Sequence, residues 1–179
     1  QLPNPVLPGS TLPPPSAQDR AIYGLQTNSP PFDIRYPEGA DVGYRWYDRK
    51  GLRPLYAFGH GLSYTSFAYD QLAITGGRTV SVRLRVTNTG KVAGQDGPQV
   101  YVTLPGQARR LVGWTKTALQ PGESRVVTIT AEPRLLANFD TGRRRWRIPA
   151  ASVRVEVARS AIEPVLSATA RLTRHDIKP

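Results

Sequence analysis

Thr79-Val80-Ser81-Val82-Arg83-Leu84-Arg85-Val86-Thr87 alternates polar and apolar side chains without a break. A strand turns successive side chains to opposite faces, so this stretch has one dry face and one wet face. Val80, Val82, Leu84 and Val86 form the dry set. The same period recurs where Val153, Val155 and Val157 alternate with Arg154 and Glu156, and where Leu166, Ala168, Ala170 and Leu172 alternate with Ser167, Thr169 and Arg171. Between them lie Gln99–Leu104, Leu111–Leu119 and Glu123–Ala131, all rich in strand-forming residues. Turn chemistry separates them at Thr75-Gly76-Gly77, Asn88-Thr89-Gly90, Leu104-Pro105-Gly106, Gln120-Pro121-Gly122 and Thr141-Gly142. About seven short strands with no long helix predict an all-β antiparallel sandwich. Val82, Leu84, Val86, Val155 and Val157 are the expected core, and Arg134–Phe139 is expected to make a single helical turn.

Composition narrows the function classes. The chain has 179 residues, enough for one domain and a long appendage. It has no Cys, which excludes disulfides, thiol nucleophiles and thiolate metal sites. No run reaches the ~18 apolar residues of a membrane-spanning helix, so a soluble protein is expected. Gln1 opens the chain without a basic or apolar leader, so no signal peptide is read there. The net charge of +11 raises the question of nucleic acid. However, Arg83, Arg85, Arg125 and Arg154 are spread singly over strands, and Arg143-Arg144-Arg145 with Arg147 holds only Trp146 as an aromatic. The pattern reads as a solvated basic face, not as a nucleic-acid platform with stacking aromatics.

The composition changes twice along the chain. Residues 1–31 contain Pro3, Pro5, Pro8, Pro13, Pro14, Pro15, Pro30 and Pro31, and read as an extended strap without a core. Residues 32–65 concentrate aromatics among glycines: Tyr36-Pro37-Glu38-Gly39-Ala40-Asp41-Val42-Gly43-Tyr44-Arg45-Trp46-Tyr47-Asp48, then Pro54-Leu55-Tyr56-Ala57-Phe58-Gly59-His60-Gly61-Leu62-Ser63-Tyr64-Thr65. Such density in a segment broken by Gly and Pro suits docking on another surface. Residues 66–173 are the sandwich and 174–179 a polar tail.

These two aromatic motifs resemble the end of the catalytic region in glycoside hydrolase family 3, the β-glucosidases and β-xylosidases. There, that region leads into a fibronectin type III-like domain of immunoglobulin-like architecture. The second half carries the resemblance further. Thr87-Asn88-Thr89-Gly90-Lys91-Val92-Ala93-Gly94 with Gln99-Val100-Tyr101-Val102 is similar to strands of that domain. So are Leu111-Val112-Gly113-Trp114-Thr115-Lys116, Leu119-Gln120-Pro121-Gly122-Glu123-Ser124, and Leu136-Ala137-Asn138-Phe139-Asp140 with Trp146. All occur in the family's order. Two turns depart from its pattern, Gln95-Asp96-Gly97-Pro98 and Pro149-Ala150-Ala151.

The resemblance implies retaining cleavage of β-glycosidic bonds by an Asp nucleophile and a Glu acid/base. It places both upstream of Gln1, so no catalytic residue transfers to this chain. It also implies that the chain docks on those upstream domains, which would bind a β-linked saccharide, and that the enzyme is periplasmic or secreted.

Of the local acids Asp33, Glu38, Asp41 and Asp48, Glu38 and Asp41 flank a turn and read as capping acids or partners of Arg45 and Arg49. Arg45 and Asp48 are expected to pair across the docking junction. His60 between glycines reads as a buried, backbone-bonded histidine, and His175 as solvent-exposed. Their spacing supports no metal site, and no glycine-rich phosphate loop opens a helix, so neither metal nor cofactor residues are assigned. Trp114 reads as half-buried packing. The alternative to an accessory enzyme portion is an independent carbohydrate-binding module using Trp46, Trp114 or Trp146, or a basic adhesion module. Exposure of those three Trp discriminates between these.

Overall fold

The structure, a computed structural model, describes residues 38–178. The strap at 1–31 and residues 32–37, including Tyr36, lie outside the described residues. The Thr79–Thr87 alternation becomes strand β2 (Ser81–Asn88), flanked by β1 (Phe67–Thr75) and β7 (Ser124–Thr130) in an antiparallel three-stranded sheet. The facing sheet has the order β11-β10-β4-β5, with β4 at Gln99–Thr103, β5 at Arg110–Trp114, β10 at Ala151–Ser160 and β11 at Glu163–Leu172. Between the two lie Val82, Leu84, Val86, Val155 and Val157, all fully buried, while Arg83 points outward. The expected register and core are those observed. Burying one such Leu or Val contributes ~1.5–3 kcal/mol.

Short ladders complete the sandwich. β3 (Gly94–Asp96) pairs with β6 (Thr117–Leu119), and β9 (Arg145–Ile148) lies between β8 (Asn138–Asp140) and β12 (His175–Ile177). Twelve strands among the described residues replace the expected seven or so, because three- and four-residue ladders escape a periodicity count. Gln95 and Asp96, expected in a turn, belong to β3. The expected helical turn is a 3-10 turn at Pro133–Leu136, followed by β8. His175–Ile177 is a strand where a polar tail was expected. Asp176 faces Arg147 across the ladder and pairs with it at 3.3 Å, while Ile177 packs toward the core.

Outward-facing carboxylates make the fold acid-sensitive. Two hydrogen bonds from Arg85, at 2.8 and 2.7 Å, hold the Asp70 carboxyl below the usual carboxylate range. The Gln120 N–H and then Arg125 lower Glu123, and the Arg143 N–H foremost lowers Asp140. A folded pKa below the unfolded one stabilises the fold above about pH 4 and loses that contribution as pH falls through the folded value. The triple variant Asp70→Asn, Glu123→Gln, Asp140→Asn should therefore lose less melting temperature between neutral and acid pH than the parent. An acid limb equally steep in both would refute this account.

Candidate docking surface

The aromatic segment forms one helix, α1 (Tyr44–Lys50), which the sequence reading missed. Its boundaries are glycines in conformations that other residues avoid: Gly43 at φ 59° and Gly51 at φ 64°. Leu52 N–H bonds the Tyr47 carbonyl at 2.9 Å and closes the helix. Arg49 and Lys50 in the last turn complement the helix dipole. Those bracketing glycines and terminal cations were the available signal.

The inner side of this segment lies on the outer face of the β11-β10-β4-β5 sheet. The Tyr44 ring stands 5.2 Å from Phe58 and edge-on to Tyr101 at 5.8 Å, and its hydroxyl accepts the Leu111 N–H at 2.7 Å. Tyr101, Ala158 and Ala161 form a second small core beneath Tyr44 and Leu111. Burial raises the Tyr101 hydroxyl pKa well above its ordinary value. The next loop is pinned too: Ala161 N–H bonds the Phe58 carbonyl at 2.9 Å, and Gln99 Nε2 donates to the Gly59 carbonyl at 3.3 Å.

Ion pairs fix the segment from within. Arg45 pairs with Asp41 at 2.9 Å, and Arg49 reaches the same carboxylate. Asp48 pairs with Arg109 at 3.5 Å and accepts the Arg109 N–H at 3.1 Å. Arg109 continues to the buried Glu156 at 3.3 Å, with its guanidinium 5.1 Å from the Tyr101 ring. The expected pairing of Arg45 and Asp48 across a junction is thus corrected: both find partners inside the chain. Glu38 and Asp41 are buried turn acids, the Glu38 carbonyl accepting the Asp41 N–H at 3.0 Å. Burial first, and the neighbouring Arg45 second, lower the pKa of Arg110.

The outer side is another matter. Leu55, Tyr56 and Phe58 are exposed, and Leu62 and Tyr64 almost wholly so, at 94% and 102%. Between α1, the Phe58 loop and the sandwich opens a cavity of about 430 Å³, walled by Tyr44, Tyr47, Tyr56 and Phe58 with Asp48 and Arg109. His60, expected to be buried, is exposed: its backbone N–H bonds the Ala57 carbonyl at 3.0 Å, and the ring leans toward Tyr56. His175, expected to be solvent-exposed, is half-buried in β12, with Nδ1 3.2 Å from the Thr173 carbonyl.

The three Trp differ. Trp46 is half-buried beneath Lys50 at 4.8 Å, and Trp146 is half-buried edge-on to Phe139 at 5.2 Å. Trp114, expected to be half-buried, is 63% exposed. The basic run beside Trp146 is largely paired. Arg143 and Arg147 reach Asp140 at 3.2 and 3.3 Å, and Arg145 reaches Asp176 at 3.7 Å.

The three-on-four antiparallel sandwich is the architecture of a fibronectin type III-like domain, and the family model of that name matches residues 97–161. Thermostable β-glucosidase B of Acetivibrio thermocellus is 36% identical over 149 residues, covering 78% of this chain but 20% of the relative. β-Glucosidase 3B of Thermotoga neapolitana, solved with α-D-glucose, superposes with TM-score 0.74 at 37% identity, covering 82% of this chain and 21% of that one. The GH3 β-glucosidase of Bifidobacterium adolescentis gives TM-score 0.73 at 35% identity, covering 79% and 22%. The chain corresponds to a C-terminal portion of a glycoside hydrolase family 3 enzyme, with its fibronectin type III-like domain. It spans about a fifth of the length of these relatives.

Proposed function

We propose that this chain is the accessory portion of a family 3 β-glucosidase, whose catalytic domains it docks against and stabilises. One observation carries this reading: a segment latched to the sandwich on its inner side presents Leu55, Tyr56, Phe58, Leu62 and Tyr64 outward. Monomers rarely leave a contiguous apolar patch beyond a few hundred Å² uncovered. The relatives supply a natural cover, since most of their length lies outside this chain. Hydrolysis of a β-linked glucoside would belong to that remainder, and a periplasmic or secreted location is proposed for the whole.

The local acids support this division. Asp41 and Asp48 are both taken up by arginines, and of the local acids only Asp48 lines the cavity beside α1, whereas a retaining glycosidase needs two carboxyls facing one cleft. The purified 179-residue chain is expected to release no p-nitrophenol from an aryl β-glucoside above background. Turnover abolished by Glu38→Gln or Asp41→Asn would overturn the assignment and make these acids catalytic.

A further inference from the structure

We propose that Trp114 is an anchor of the same docking surface, which extends from the aromatic segment onto the exposed outer face of β5. This rests on the docking reading above and adds to it a residue from the sandwich itself. Gln99 and Trp114 stand directly opposite each other on β4 and β5, so their side chains are neighbours on one face. Gln99 is the residue that grips the loop: its Nε2 donates to the Gly59 carbonyl at 3.3 Å and to the Arg159 carbonyl at 2.9 Å. Trp114 therefore flanks the side chain that holds the Phe58–Gly59 turn, the turn that carries exposed Phe58. The exposure of the indole follows from local geometry. The register of β4 and β5 shifts between Val100 and Tyr101, which leaves Val112 as an extra residue on β5. Val112 and Gly113 both serve the inner side, Val112 by burial and Gly113 by its closeness to Ile129. Leu111 and Trp114 then both lie on the outer face, where Leu111 is covered by Tyr44 and Trp114 stays largely exposed.

The occupant is the remainder of the enzyme chain, which in the relatives accounts for about four-fifths of the length, given the 20% and 21% that this chain spans. Its chemistry follows from the patch. The apolar centre is flanked by Arg53, next to Leu52, and by Lys116, two residues after Trp114. Both are exposed, and neither has an ion-pair partner among the described residues. The complementary face should therefore be apolar at its centre and carry carboxylates at its edge.

The test uses the full chain as one partner. The probe is thermostable β-glucosidase B of Acetivibrio thermocellus produced without the segment matching this chain, used only once its own cooperative melting transition shows it folded. Calorimetry should show binding that weakens as salt rises. Trp114→Ser should weaken it about tenfold or more, and Trp114→Tyr should restore most of it, while the chain's own melting temperature stays unchanged. If Tyr56→Ser with Leu62→Ser abolishes binding but Trp114→Ser does not, Trp114 lies outside the surface and this inference fails alone. If the unmodified chain does not bind, the docking reading and this inference fall together. Quenching of the chain's Trp fluorescence by cello-oligosaccharides, lost in Trp114→Ser, would replace the anchor with a sugar-binding platform.

Discussion

Asn88→Asp is expected to be the most damaging single-atom-scale change in this chain, lowering stability by roughly 3–5 kcal/mol. Asn88 is fully buried at the end of β2, and its side chain satisfies four groups. Its Nδ2 donates to the Val92 and Leu119 carbonyls at 2.9 and 3.1 Å. Its Oδ1 accepts from the Thr65 hydroxyl at 2.6 Å and the Gly90 N–H at 3.0 Å. One amide thereby ties together the end of the docking segment, the turn after β2, and β6. Aspartate keeps the accepting oxygen but turns a second oxygen toward two carbonyls, placing an unpaired charge where no donor faces it. Asn88→Ala avoids the charge and leaves the four groups without their partner, which costs about 3 kcal/mol. In a domain of this size that lowers the melting temperature by roughly 6–12 °C. Thr128→Ser, on an exposed position of β7, is the control and should change stability by less than about 0.5 kcal/mol. Calorimetric melting of the three variants checks this. An Asn88→Ala chain melting with the control would show that the network contributes nothing.

The sandwich was legible because its signal is local. Val82, Leu84 and Val86 need only the two-residue period of a strand to be assigned inward, and β2 as a central strand has both neighbours to enforce that register. Trp114 was not legible, for a reason specific to β5. Its outward direction depends on the extra residue at Val112, and a bulge is a property of two paired strands, whereas the sequence shows one at a time. The same holds for β12, whose three residues acquire a strand through Asp176 meeting Arg147 on a distant strand. His60 shows a third limit. Flanking glycines announce a tight turn but do not say which way the ring points, and here the backbone N–H makes the turn's bond while the imidazole faces outward. In the aromatic segment, density argued for an external partner. The structure divides those rings between the chain's own sheet, which takes Tyr44, and the outside, which takes Tyr56, Phe58 and Tyr64.

Arg109→Leu is the second large effect expected, and it probes how the docking segment is held. The Arg109 side chain is only 12% exposed, and it joins α1 to the sandwich: Asp48 on one side, Glu156 and the Ala161 carbonyl on the other. Removing one partner of a buried pair is costly because the remaining charge stays desolvated. Glu156 is 8% exposed, but it keeps Arg154 at 3.0 Å, which offsets part of the loss. A decrease of about 2–3 kcal/mol is expected, below the 3–5 typical of a fully stranded partner. The loss should also be local in a way that a core truncation is not. With Asp48 keeping only the Arg109 backbone N–H and the Tyr101 ring no longer covered by a guanidinium, α1 should open more often than the strands do. Amide exchange in Tyr44–Leu52 should therefore accelerate more than in β2 or β10. Adding Glu156→Leu to Arg109→Leu should restore part of the global stability, since an apolar pair leaves no buried charge, while the fast exchange of α1 persists. If exchange in α1 is unchanged in the single variant, Asp48–Arg109 does not hold the segment. Its attachment would then rest on the Tyr44 contacts with Tyr101 and the Leu111 N–H, and on the hydrogen bonds of the Phe58–Gly59 turn to Ala161 and Gln99.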